Sequence, residues 1–298
     1  MKETQKEKLY LQNALFMFVA HLIGFYGFYA AALGQWRRET LILGAIMFCV
    51  SGLGITVGYH RYFTHRSFKC GKIVQAVLAI CGTTAIQNTI KVWVSGHVLH
   101  HQKTDKDGDP YNASRGFFWS HIGWILYKDP KRKKGDFSAA DHLMNDSWTA
   151  RLVNFQHKYY LVLAVLFSGI APTLIASFWG DPFGGLVFAG FSRLIVVWHM
   201  TFCINSIAHW KHWGSCQPYT RTNSAQDSWI VSLATFGEGY HNYHHSFPGD
   251  YRNGPYWYNF DPSKWVIFWL LLLGLANDLN RVPKERIERA RRAVLLLG

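Results

Sequence analysis

Eight histidines fall in three short clusters: His60 and His65 in H-R-Y-F-T-H, His97, His100 and His101 in H-V-L-H-H, and His241, His244 and His245 in H-N-Y-H-H. A neutral imidazole is the commonest protein ligand for iron, copper and zinc. A single metal ion needs only three or four such ligands, so eight are enough for two. Any one cluster could be a surface patch or a packing feature, but three in one chain point to metal-centred chemistry. His21, His142, His157 and His199 stand alone and read as hydrogen-bonded core residues.

Spacing says which elements must carry the clusters. Residues three and four apart lie within about 60° of each other on a helix, so each of the second and third clusters converges on one helical face. The first differs, because i and i+5 lie roughly 140° apart on an ideal helix. His60 and His65 can share a site only where a helix ends or bends, and the neighbourhood of Gly58 and Thr64 permits that. Asn205 and His209 stand at i and i+4 after a long apolar run and offer a ninth imidazole.

The chain has 298 residues and a net charge of +13; 16% of its residues are aromatic and 16% charged, with 13 Trp. A typical soluble domain is about a quarter charged, so lipid is expected as part of the solvent. No basic helix, aromatic-interleaved motif or zinc-finger spacing supports a nucleic-acid partner. Cys49, Cys70, Cys81, Cys203 and Cys216 are odd in number and lie largely in apolar runs, as reduced, buried small hydrophobes do. The polar start leads into an apolar run too long for a signal-peptide core. With no repeat or flexible linker, one domain over residues 1–298 is expected.

An all-α integral membrane fold follows, with four spans at about residues 9–34, 40–59, 159–180 and 183–207, each able to cross a roughly 30 Å hydrocarbon core. Two further runs, 73–90 and 265–277, are ambiguous. A crossing at 73–90 would put the first and second histidine clusters on opposite sides of the bilayer. It therefore reads as a helix that dips in and returns, and 265–277 as an interfacial helix. Both termini and the histidines are then expected on the cytoplasmic side. Only Arg37 and Arg38 lie outside, in keeping with the positive-inside rule. Arg193 falls within the fourth span, where a central charge costs about 2.5–3.5 kcal/mol; it must face the bundle, as a structural anchor with a partner there.

These residues resemble the membrane-bound fatty acid desaturases, most of all the stearoyl-CoA type delta-9 acyl-CoA desaturases. The resemblance runs from about residue 41 to 278. It rests on G-Y-H-R-Y-F-T-H at 58–65, D-P-Y-N-A-S-R-G-F-F-W-S-H-I-G-W at 109–124, the 205–209 segment and G-E-G-Y-H-N-Y-H-H-S-F-P at 237–248. It implies four transmembrane helices under a cytoplasmic helical cap. It also implies two irons held by His60, His65, His97, His100, His101, His209, His241, His244 and His245, with Asn205 holding a water on one of them.

Removing hydrogen from an unactivated methylene pair has no acid–base route, so reduced iron must activate O2. Glu238 and Asp109 are candidates to accept imidazole N–H bonds; Asp105, Lys106 and Asp107 read as a solvated loop. Gln87, Trp93 and Thr201 match the family's residues that kink an acyl tunnel and place carbons 9 and 10 near the metals. His121 matches a family histidine outside the ligand set.

The headgroup region departs from the family. Ser95-Gly96 stands where acyl-CoA enzymes carry Arg-Asp, Lys128-Asp129 where they carry Arg-Lys, and Phe202 where they carry Trp. Lys128, with Lys131, Arg132, Lys133 and Lys134, could attract a nucleotide phosphate or meet anionic lipid. No cytochrome b5 domain is visible at either end, so electrons are expected from a separate donor of cytochrome b5 or ferredoxin type with its reductase. Residues 281–292 read as an amphipathic basic tail, solvated or lipid-facing. The favoured function is O2-dependent desaturation of a saturated acyl chain, in the endoplasmic reticulum or a bacterial inner membrane. Acyl-lipid or acyl-carrier-protein desaturation, hydroxylation, metal transport and a purely structural role are the alternatives.

Overall fold

A computed structural model describes residues 7–128 and 135–296. Four of its helices are long and apolar enough to cross a membrane: Leu11–Ala32, Arg38–Thr64, Ser147–Ser177 and Pro182–His209. Each meets its backbone hydrogen-bonding needs within itself, as hydrocarbon requires. The first span turns Leu11, Phe18, Leu22, Phe25 and Tyr29 outward and buries Ala20, Gly24 and Gly27. Those small residues let the fourth span approach closely: Ser192 Oγ donates to the Gly24 carbonyl at 2.8 Å, and a Cβ at Gly27 would collide with that hydroxyl.

Two spans differ from the sequence expectation. The third begins at Ser147, twelve residues before 159, because Asp146 caps it by accepting from the Thr149 N–H at 2.6 Å. Arg151 and Lys158 in that stretch do not end the helix; they mark where it leaves the apolar region. The second does not stop at 59. Its last eleven residues, Gly54–Thr64, form a π-helix whose final backbone bond runs from the His65 N–H to the His60 carbonyl at 3.1 Å. An i→i+5 ladder stacks residues five apart, so the required bend is met by a wider turn instead.

The 73–90 run dips and returns, as expected. Helix Lys72–Thr83 is about 18 Å long, too short to cross, and after residues 84–89 the chain reverses into Ile90–Lys103. The other ambiguous run folds as Pro262–Leu272, capped by Asp261. Its exit pairs Ala276–Asn277 with Lys69–Cys70 just after the first histidine cluster.

The basic tail is a correction. Helix Lys284–Leu295 buries Ile287 against Tyr219, Tyr243 and Phe247, so one face packs beneath the third histidine cluster and only the other faces outward. The apolar residues that decide this lie singly among arginines.

Candidate metal centre

Every histidine of the three clusters, with His209, reaches one region at the same end of the spans. The π-helix delivers His60 and His65, and helix Ile90–Lys103 delivers His97, His100 and His101 from one face. The short helix His241–Ser246 delivers the third cluster. A backbone ladder ties it to His209: Gln226 N–H donates to the Ala208 carbonyl at 2.7 Å, and His241 N–H to the Gln226 carbonyl at 3.2 Å.

The nine imidazoles divide into two groups. His60, His65, His97, His101 and His244 form one, and His100, His209, His241 and His245 the other; within each group the ligand atoms all lie within 4.8 Å of one another. In the first, Nε2 atoms stand 3.0 Å apart for His60 and His244, 2.9 Å for His244 and His101, 3.1 Å for His101 and His97, and 3.1 Å for His97 and His65. In the second, the separations are 3.0 Å for His209 and His241, 3.1 Å for His241 and His245, and 3.2 Å for His245 and His100. Nitrogens about 2.1 Å from a common ion and at right angles stand roughly 3.0 Å apart.

Proton placement supports the same conclusion. His100 Nδ1 lies 2.9 Å from Asp109 Oδ1 and His60 Nδ1 2.8 Å from Glu238 Oε2. Ser224 Oγ donates to Asp105 Oδ1 at 2.7 Å, so it accepts from His209 Nδ1 at 2.8 Å. In each ring the Nδ1 therefore keeps the proton, and a bare Nε2 lone pair points at its neighbours' nitrogens. Lone pairs aimed together need a cation between them. Burial, reinforced by the neighbouring rings, holds His65, His97, His101, His241, His244 and His245 well below the ordinary imidazole range, so at neutral pH they are ligands rather than charges. These residues fit two metal ions.

Around the ligands lies a shell that the sequence showed only in part. Glu238 and Asp109 each place a carboxylate oxygen against an imidazole Nδ1. Glu238 precedes His241 at the Glu-x-x-His spacing of soluble di-iron bundles, yet it turns to His60 and to Arg61 Nη2, 3.0 Å away. Burial would raise its carboxyl; His60 and Arg61 together outweigh that and hold it below the usual range. Arg61 also reaches Asp261 at 2.9 Å and the Tyr251 carbonyl at 2.8 Å. Sequence reasoning missed both Arg61 and Asp261. The signal for Arg61 was present: a charge between ligands at the end of an apolar span must be paired.

Asp105 is a second correction, since it is held by Ser224 and supports His209 instead of standing in solvent. Replacing Asp109 by asparagine removes the charged acceptor for His100. Metal affinity at the four-imidazole group is expected to fall about 10- to 100-fold, measured as metal retained against a chelator while the helical content is unchanged.

A largely apolar cavity passes both histidine groups, touching His60, His97, His241 and Asn205. Trp93 and Thr201 line it. Gln87 binds both, donating to Thr201 Oγ1 at 2.8 Å and accepting from Trp93 Nε1 at 3.3 Å. Trp93 in turn stacks on His97, with ring centroids 4.9 Å apart.

His121 lies outside this set. Its Nε2 meets His199 Nδ1 at 3.0 Å, and His199 Nε2 meets His21 Nε2 at 3.0 Å. The lone histidines His21 and His199 are thus hydrogen-bonded, as are His142 to the Phe63 carbonyl and His157 to Thr89. Lys128 pairs through its backbone with Lys8 and sets its ammonium 4.5 Å from the Tyr10 ring centroid. Asp129, Lys131, Arg132, Lys133 and Lys134 lie outside the described residues.

Four helices long and apolar enough to cross a membrane carry at one end two histidine groups that could each hold a metal ion. Residues 40–271 match the family model for fatty acid desaturase. The chain is 41% identical over 278 residues to a probable acyl-CoA desaturase of Schizosaccharomyces pombe, covering 93% of this chain and 56% of that protein. It is 40% identical over 267 residues to acyl-CoA desaturase 1 of Saccharomyces cerevisiae, covering 89% and 51%, and 37% identical over 278 residues to human stearoyl-CoA desaturase, covering 93% and 76%. The chain belongs to the fatty acid desaturase family. It spans about half the length of the two yeast relatives.

Proposed function

We propose that this chain is an O2-dependent fatty acyl desaturase that places a cis double bond, at the delta-9 position, in a saturated acyl chain carried as acyl-CoA. The observation that carries this reading is the apolar cavity that touches both histidine groups and is lined by Trp93 and Thr201, the two residues that Gln87 bonds. The names of the yeast, human and cricket relatives, the last an acyl-CoA delta-9 desaturase, support the substrate class. The balance is one acyl chain, O2, two electrons and two protons giving one alkene and two waters.

Two irons, when bound, supply O2 activation and hydrogen abstraction. The chain's residues do the rest. The nine histidines hold the ions, five on one and four on the other, and Asn205 completes the smaller group through a water. Asp109, Glu238 and the Asp105–Ser224 pair keep the Nδ1 protons in place and so fix the rings. The cavity's apolar walls exclude bulk water, and Gln87, Trp93 and Thr201 bend the chain beside the metals. Electrons come from a donor of cytochrome b5 or ferredoxin type. The lysines and arginines that flank the spans support placing the histidine end in the cytoplasm.

One observation favours a second carrier. Ser95 stands where the acyl-CoA enzymes have an arginine; it is buried, with its hydroxyl 3.5 Å from the Asp136 carbonyl, and so cannot reach a headgroup. A lipid-linked acyl chain fits that departure. Expression in a host lacking delta-9 desaturation, with gas chromatography of total fatty acids, is expected to show new monounsaturated chains. No new double bond, despite bound iron and a working donor, refutes the proposal. Supplying acyl-CoA or acyl-lipid to the reconstituted protein separates the carriers.

A further inference from the structure

Residues 84–89, where the dipping helix reverses, lie among the spans, where water cannot serve their backbone. Side chains from the third and fourth spans serve it instead. The Thr84 carbonyl accepts from Arg193 Nη1 at 2.6 Å and from Ser168 Oγ at 2.9 Å. Trp198 Nε1 donates to the Ala85 carbonyl at 2.8 Å. Asn88 N–H donates to Tyr160 Oη at 2.9 Å, and Ile90 N–H to Gln156 Oε1 at 3.1 Å. At the centre of this turn is Gln87, flanked by Ile86 at φ 48° and Asn88 at φ 78°. A left-handed backbone at a β-branched residue is costly, and such outliers persist only where the surroundings over-determine them.

We propose that Arg193, with Trp198 as a second grip, is a positioning residue that fixes the depth of this turn and thereby selects the carbon pair that meets the metals. Among the described residues its guanidinium has no carboxylate beside it: Nε donates to the Ala189 carbonyl at 2.9 Å, and Nη1 to Ser51 Oγ at 2.6 Å and to the Thr84 carbonyl. Ser51 in turn contacts Thr84 Oγ1 at 2.7 Å. The buried charge is thus directed at the turn, and a charged donor makes the stronger bond. Gln87, held by the turn, bonds both Trp93 and Thr201, which line the cavity, and Thr201 stands eight residues after Arg193 on the same span. Successive carbons of an acyl chain differ in position on the order of 1 Å, the scale at which misplacement decides which bond reacts.

The inference rests on the desaturase reading, and the test separates the two. Wild type, Arg193→Leu, Arg193→Lys and Trp198→Phe are expressed in the same desaturase-deficient host, and double-bond positions are read by mass spectrometry of dimethyl disulfide adducts. Wild type is expected to give one dominant isomer. Arg193→Leu is expected to raise the share of neighbouring positional isomers at least about tenfold, as for the loss of one charge-assisted hydrogen bond, Trp198→Phe to raise it about two- to tenfold, as for one neutral hydrogen bond, and Arg193→Lys to restore most of the wild-type pattern. Lower turnover with an unchanged isomer ratio marks a merely structural role and overturns the inference. Should Arg193→Leu fail to accumulate in the membrane, Trp198→Phe, which loses one N–H and keeps an aromatic ring, decides it alone. A wild-type chain that makes no double bond overturns both readings.

Discussion

Changing His97 to alanine is expected to abolish desaturation and to lower bound iron from two ions per chain towards one. His97 Nε2 stands 3.1 Å from both His65 Nε2 and His101 Nε2, in the middle of the five-imidazole group. Its loss opens that group on two sides, while His100, His209, His241 and His245 keep their separations. Outer residues that merely orient a ligand are worth about 10- to 100-fold in metal affinity, so removing a ligand costs at least that. Alanine is the best helix former, so helix Ile90–Lys103 should survive, and loss of activity can be read as loss of metal. Iron per chain and product formation are measured on the same preparation. Two irons with full activity would remove His97 from the ligand set.

The second large effect is on stability. Replacing Arg61 by alanine leaves Glu238 and Asp261 buried with no cation between them, and breaking such a network costs about 3–5 kcal/mol. Asp261 is fully buried and also accepts from the Asn253, Gly254 and Lys264 N–H groups, so it cannot swing out to water. The thermal midpoint in detergent should fall clearly, with metal binding weakened because Glu238, which meets His60, loses the cation on its other oxygen. The pH dependence has a definite sign. Glu238 is held below its ordinary pKa when folded, so its contribution is present above the usual carboxylate range and is lost as pH falls through the depressed value. The wild-type advantage over the variant should therefore be greatest near neutral pH and shrink in acid. A variant as stable as wild type at neutral pH would show that the network is dispensable.

Periodicity carried the sequence reading a long way, and its failures have physical causes. Imidazoles repeated at helical spacing announce themselves, and Asn205 with His209 could be found because the pair follows an apolar run. Arg61, Glu238 and Asp261 meet across almost 200 positions, where no local pattern exists. Asp105 sits between Lys103 and Lys106, and composition there describes solvent, although a single serine at 224 draws the carboxylate inward. Arg151 and Lys158 read as a helix boundary in the sequence, whereas the helix continues through them from Ser147 and their charge marks only the edge of the apolar stretch. Ile287 and Val294 are too sparse among arginines to reveal a buried face without the aromatic residues that receive them.

The π-helix at Gly54–Thr64 makes residue count itself part of the metal site. A wider turn accommodates residues that an α-helix would have to shed, so His60 and His65 face the same way only while the five-residue interval and the wide turn are kept together. Removing one residue between them would suit an ordinary helix locally. Everything beyond would move by one position, turning Lys69 and Cys70 to the opposite faces of their pairing with Ala276–Asn277. Substitutions in this segment are questions of chemistry, whereas a deletion is a question of register.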